Sequence, residues 1–126
     1  MSNLIKTQNS RRKVSGNYPS HTLLHNLGCD YDFFIRWIAY QASSEMTFEN
    51  YGVYWHIDHV LPVRAFNHEN EEEVKVCWNW INLRPLEAEE NLRKSDKIDK
   101  DLYSKQLLLG KKFLEEYERL LGSKND

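Results

Sequence analysis

The sequence is poor in cysteine: its 126 residues include two, Cys29 and Cys77, 48 positions apart and in no CxxC pattern. That spacing excludes a zinc knuckle of the usual kind, and the pair reads as two reduced, buried thiols. No stretch approaches the ~18 consecutive apolar residues of a membrane span, and the opening MSNLIKTQNSRRK lacks the apolar core of a signal peptide. The chain is therefore expected to be soluble and intracellular, with cytoplasm and nucleus left open. A large charge imbalance is missing too: 17 Lys and Arg stand against 19 Asp and Glu, for a net charge of −2. That excludes a polycation that coats nucleic acid by charge alone, so any such contact must be a local patch. Internal repeats and low-complexity segments are absent as well.

What is present is one domain's worth of chain with 16 aromatic residues, enough to build a core. Residues 1–20 carry Lys6, Arg11, Arg12 and Lys13 with no acid, the composition of a basic N-terminal arm. Two readings of it stand, a solvated terminus and an arm lying along phosphates. A domain over 21–126 follows. The segment HTLLHNLGC has the apolar spacing of a short helix stopped by Gly28; His21 and His25, four apart within it, lack a third ligand nearby and are set aside. From the N-cap candidate Asp30, the positions Phe33, Phe34, Trp37, Ile38 and Gln41 predict one aromatic face on a helix of about 12 residues.

A loop over 43–52 leads to VYWHIDHV, whose β-branched and aromatic residues predict a strand ended by Pro62. Val74, Cys77, Trp78 and Ile81 predict a helix, with Glu71, Glu72 and Glu73 in its first turn, and Trp78 is expected in the core. Next come INLRPL, a second strand whose Pro85 places it at an edge or a strand end, and residues 87–97, a helix with Arg93, Lys94 and Lys97 toward its close. A stripe of Leu102, Gln106, Leu109, Phe113, Tyr117 and Leu120 predicts a final helix over about 99–121. Such a stripe packs on its own core first; a homodimer seam is the alternative, weakened by Gly110 inside it.

Polar residues that packing does not explain converge on Asp58-His59, at the end of the first strand, and on Asn91 to Lys94, on the helix after the second. If the strands pair as a hairpin backed by that helix, Asp58 and Asn91 present oxygens to one cation, which suits hydrated Mg²⁺ or Mn²⁺ better than zinc. His59 would then take the proton from a water attacking phosphorus. Adjacent strand residues point to opposite faces, so both serve one site only where the strand ends. A purely structural hydrogen-bonded Asp-His pair is the competing reading. A zinc hydrolase or deaminase built on His56 and His59 lacks both HExxH and PCxxC partners.

WHIDHVLPVRAF followed by CWNWINLRPLEAEENLRKSDKI resembles the HNH endonuclease family, the ββα-metal or His-Me finger nucleases, in particular small free-standing forms of phages and large DNA viruses. NLGCDYDFFIRWIAYQ and MTFENYGVYWHIDH resemble the segments that precede the motif there, so the likeness spans about residues 22–98. It implies an α+β fold in which a two-stranded antiparallel hairpin plus helix is surrounded by additional helices. It implies a metal-dependent DNA endonuclease leaving 5′-phosphate and 3′-hydroxyl ends, with Mg²⁺ or Mn²⁺ as cofactor. Asp58 and Asn91 would be metal ligands and His59 the general base. Asn82 would hold the loop between the strands and so help orient the base, and Lys94 would contact phosphate.

Arg84, Arg93 and Lys97 are candidate nucleic-acid contacts, with Arg64, His56 and His68 as weaker ones. DNA is the expected partner, alongside a homodimer or a specificity-giving protein; the alternative function is a catalytically silent nucleic-acid or protein-binding module. Two departures stand out. The stretch from His59 to Asn82 is longer than in compact members, and the paired zinc-binding cysteines of many members are missing. The acidic run from Glu69 to Glu73 would also repel a phosphate backbone if it faced the site.

Overall fold

The computed structural model describes residues 26–94 and 97–125. The basic arm, His21 and His25 lie outside them. Asn26 and Leu27 are helical and the chain turns at Gly28, whose φ of 73° lies in the left-handed region that glycine accepts without cost. Helix α1 (Tyr31–Gln41) starts where the sequence places it, with the Asp30 carboxylate accepting from the Phe33 N–H at 2.8 Å. It buries more than one face. Ile35 and Ala39 are inside along with Phe33, Phe34, Trp37 and Ile38, and the solvent side is reduced to a narrow stripe on which Arg36 pairs with Asp32 at 2.9 Å.

The sheet has two antiparallel strands, β1 (Trp55–His59) and β2 (Leu83–Glu87), in a register that sets Ile57 opposite Pro85, Asp58 opposite Arg84 and His59 opposite Leu83. Both strands of such a sheet are edges, which is why Pro85 is tolerated in the middle of one. Helix α2 (Glu71–Trp78) lies between the strands in sequence, capped by the Asn70 side chain on the N–H groups of Glu72 and Glu73. It stops three residues short of Ile81. Asn79 turns extended there, and its side chain accepts from the Ile81 N–H at 3.0 Å, opening a 3-10 turn over Trp80–Asn82. The second strand consequently starts at Leu83 rather than at Ile81.

Helix α3 (Ala88–Arg93) follows β2 directly and is shorter than its sequence suggests, because the backbone leaves helical geometry at Lys94. Lys97 therefore stands exposed beyond the helix instead of in its last turn. Helix α4 (Lys100–Asn125) opens with the Asp99 carboxylate accepting from the Leu102 N–H at 3.0 Å. Its stripe is spent on the core: Gln106 and Phe113 are buried and Leu102, Leu109 and Tyr117 half-buried, while Leu120 points to solvent. Gly110 is required by close approach, since a Cβ there would overlap the Ile81 side chain of the 3-10 turn.

The core collects α1, β2, the 3-10 turn and α4 around Trp37, whose ring meets those of Trp80 and Phe113 at centroid distances of 5.1 and 5.3 Å. A polar thread runs through it. The Leu83 carbonyl accepts from the Trp37 indole at 3.0 Å and from the Gln41 and Gln106 amides at 3.3 Å each, which ties β2 to both flanking helices. No helix of the described residues is long and apolar enough to cross a membrane.

Both cysteines are free; Cys77 is fully buried and Cys29 half-buried. Burial pushes the Cys29 thiol up to about 12, with help from the Asp30 charge, and the Cys77 thiol up to about 11. Thiolate is the reactive form, so native protein at pH 8 is expected to react with a disulfide reagent far more slowly than protein in denaturant, where two thiols per chain titrate. Rapid labelling of either cysteine in the native state would contradict this packing.

Candidate active site

Asp58 is a carboxylate at 8 % exposure, a placement that a charge tolerates only with partners of opposite sign. It has two. The Lys94 ammonium donates to both carboxylate oxygens at 2.9 Å, and the Arg84 Nε donates to Oδ2 at 3.1 Å from the directly opposed position on β2. Lys94 also donates to the His59 backbone carbonyl at 3.0 Å. Three oxygens thus converge on one cation where β1 ends. Asn91, half-buried, lies on α3 three residues before Lys94.

Asn82 is fully buried and its side chain is saturated. Its Oδ1 accepts from the Leu61 N–H at 2.8 Å, and its Nδ2 donates to the Leu61 carbonyl at 3.1 Å and the Cys77 carbonyl at 2.9 Å. Its own backbone carbonyl takes the Val60 N–H at 2.8 Å. The chain leaving β1 is thereby fixed immediately after His59.

His59 is half-buried, and its Nε2 is the one buried side-chain nitrogen or oxygen without a hydrogen-bond partner among the described residues. Its ring meets the Trp78 indole edge-on, with centroids 4.5 Å apart and planes at 84°. Burial holds the imidazole below the ordinary histidine value; the Asp58 charge opposes that shift, while Lys94 and His68 reinforce it. His68 is held near by its Nε2, 2.8 Å from the carbonyl of Val63 in the 3-10 turn Val63–Ala65. The net effect favours the neutral imidazole.

Asp58, Arg84 and Lys94 come together, joined by the backbone carbonyl of His59, whose ring packs on Trp78 instead. Arg84 and Lys94 are engaged with Asp58, whereas Arg93 and Lys97 are exposed and Arg64 projects from the exposed 3-10 turn. His56 sits further back on β1 with its ring 6.4 Å from that of Tyr51. Trp78 is the correction: it is half-buried against His59 and not among the core side chains, whereas Trp37 and Trp55 fill the core. Apolar spacing marks Trp78 as inward-facing but does not say which residue it meets.

Among the described residues, no three or more His, Cys, Asp and Glu side chains are grouped to hold a metal ion. The oxygens present are of another kind, one carboxylate and one backbone carbonyl around a cation, with the Asn91 amide on the adjacent helix. Such a sparse set of hard donors suits Mg²⁺ or Mn²⁺, which keep several waters.

Two uncharacterized proteins of Acanthamoeba polyphaga mimivirus are similar to this chain. One is 41 % identical over 113 residues, covering 90 % of this chain and 49 % of the viral protein; the other is 36 % identical over 115 residues, covering 91 % and 51 %. The chain spans about half the length of these curated relatives. No family model matches it, and no solved structure does.

Two outcomes are expected of this geometry. Asn82→Ala leaves the Leu61 N–H and the Leu61 and Cys77 carbonyls without their partner. At about 1–3 kcal/mol for each buried group left unsatisfied, a loss of about 3 kcal/mol or more is expected in chemical denaturation; a loss within about 0.5 kcal/mol would contradict the clamp. An NMR titration of the His59 ring is expected to show a midpoint below 6.5. Below pH 6.5 the unfolded chain binds a proton that folded His59 refuses, so this residue's effect is to lower stability as pH falls through that value.

Proposed function

We propose that this chain is an HNH-type, metal-dependent endonuclease that hydrolyses DNA phosphodiester bonds. The observation that carries the reading is Asp58-His59 at the end of β1 of an antiparallel hairpin, with the helix that directly follows β2 carrying Asn91 and ending at Lys94, whose ammonium reaches Asp58. That is the strand, strand, helix order the sequence resemblance implies. The mimivirus relatives fit the viral setting of the forms it resembles.

His59, as the neutral imidazole, accepts the proton of a water as its oxygen bonds to phosphorus; the P–O bond to the 3′ oxygen breaks, that oxygen takes a proton from solvent water, and 5′-phosphate and 3′-hydroxyl ends are left. Asp58 and Asn91 would hold a divalent ion, which when bound supplies stabilisation of negative charge on the phosphoryl and leaving oxygens. Asn82 fixes the backbone on which His59 stands. Any added cation at Asp58 competes with the Lys94 ammonium, and a displaced Lys94 becomes available to phosphate. Arg93 and Lys97, exposed around the end of α3, are proposed to meet the DNA backbone, with a homodimer or a specificity-giving protein as further partners.

The test is conversion of supercoiled plasmid to nicked or linear DNA by purified protein in Mg²⁺, Mn²⁺ or EDTA, with His59→Ala prepared in parallel. Cleavage that requires metal and falls about 10²- to 10⁴-fold in the variant is expected, the range for loss of a general base. Equal behaviour of wild type and variant would remove His59 from the chemistry and favour a DNA- or protein-binding module instead.

A further inference from the structure

Trp78 stands where the other parts of the site leave a gap. A histidine base is ordinarily held in orientation by a hydrogen bond from its second ring nitrogen to a carbonyl or carboxylate. The Nε2 of His59 is buried and makes no such bond among the described residues. The torsion that turns an imidazole about its Cβ–Cγ bond is broad by itself, so something else must select its angle. What meets the ring is the Trp78 indole at 4.5 Å and 84°.

We propose that Trp78 is the positioning residue for His59: its indole, packed edge-on against the imidazole, sets the ring angle that the missing hydrogen bond at Nε2 leaves free. This rests on the reading of His59 as the general base.

The indole is itself well anchored. Trp78 is the last residue of α2, and the carbonyl before it, that of Cys77, is taken by the Asn82 amide at 2.9 Å. Asn79, after it, is held extended with its side chain on the Ile81 N–H. The side chain of Asn82 also fixes Leu61, two residues past His59, at both its N–H and its carbonyl. One amide therefore ties the backbone of the base to the backbone of the residue that packs on it, and the separation of the two rings follows from that tie. The segment between the strands, longer than in compact members of the family it resembles, thereby gains a task.

The experiment compares Trp78→Leu, which keeps apolar bulk, with Trp78→Phe, which keeps an aromatic ring, using plasmid nicking under single-substrate kinetics and NMR of the His59 ring protons. A mis-set base loses rate and not affinity, so Trp78→Leu is expected to lower kcat about 10- to 100-fold with KM within about twofold, and Trp78→Phe to restore most of kcat. The His59 ring protons are expected to lose their ring-current shift in the Leu variant and to keep part of it in the Phe variant. Unchanged kcat in Trp78→Leu, a Phe variant no better than Leu, or a rise in KM with kcat retained would overturn the proposal, the last by making Trp78 a substrate contact. Circular dichroism of both variants separates these outcomes from unfolding; should Leu unfold the chain, the Phe variant alone decides, through its kcat and ring-current shift. A wild-type protein that shows the ring-current shift but cleaves nothing would overturn the nuclease reading, and the positioning role with it, while leaving the ring contact measured.

Discussion

The amide of Asn82 makes every one of its bonds to backbone, and the segments it joins are the ones that have to meet for a site to exist: the chain just past β1, the end of α2 and the start of β2. A buried amide in this position carries a penalty for each bond not made, which is why one residue can dictate the path of three segments. Its 3-10 turn also presses against α4, where Gly110 leaves room for Ile81. From the other side, Trp37, Gln41 and Gln106 donate to the carbonyl of Leu83, the very next residue. The start of β2 is thus held from both directions by polar groups inside an aromatic core, and the hairpin's register follows. A two-stranded sheet has little stability of its own, so this anchoring and the helices around it supply what the ladder cannot.

Electrostatics impose the second constraint. Burying Asp58 costs desolvation that one surface-type ion pair would not offset, and the chain answers with two cations from different elements, Arg84 on β2 and Lys94 at the end of α3. The two are not equivalent. Arg84 is a fixed cross-strand partner, whereas Lys94 carries a compact ammonium on a flexible stem and shares it between Asp58 and the His59 carbonyl. Asp58 is thereby tied to the neighbouring strand through Arg84 and to the end of α3 through Lys94.

Local signals made much of this legible in the sequence. The Asp30 cap and the aromatic spacing after it are short-range, and α1 begins where they place it. The two strands follow from β-branched, aromatic and alternating apolar residues, and the acids in the first turn of α2 fall where the sequence puts them. What was not legible depends on contacts distant in sequence. That Ile35 and Ala39 are also inside reflects how many elements surround α1, which its own periodicity does not report. The end of α2 at Trp78 is decided by Asn79 and Asn82 taking backbone groups that a continuing helix would have used. Gly110 looks like a weakness in an amphipathic helix until Ile81 is seen against it. For the site, the residue types and their order were legible, but that Arg84 and Lys94 sit on Asp58, and that Trp78 sits on His59, were not, because pairs 26, 36 and 19 residues apart meet only through the hairpin and its flanking helices.

The acidic run from Glu69 to Glu73 shows how such placement decides the meaning of a charge. Along the sequence it stands between His59 and Asn82, where it would oppose a phosphate. In the fold, Glu71, Glu72 and Glu73 occupy the first turn of α2, favourably near the positive end of the helix dipole, with Glu73 accepting from the Asn67 N–H at 2.9 Å. Trp78, at the other end of the same helix, is the part that meets His59. At 1.5 Å of rise per residue, the seven steps from Glu71 to Trp78 amount to roughly 10 Å, about one Debye length at physiological salt. The charges that do act on His59 are Asp58, Lys94 and His68, none of them from the acidic run. A single short helix thus turns its apolar end to His59 and carries its acids in the first turn, so their order in the sequence does not put them against the imidazole.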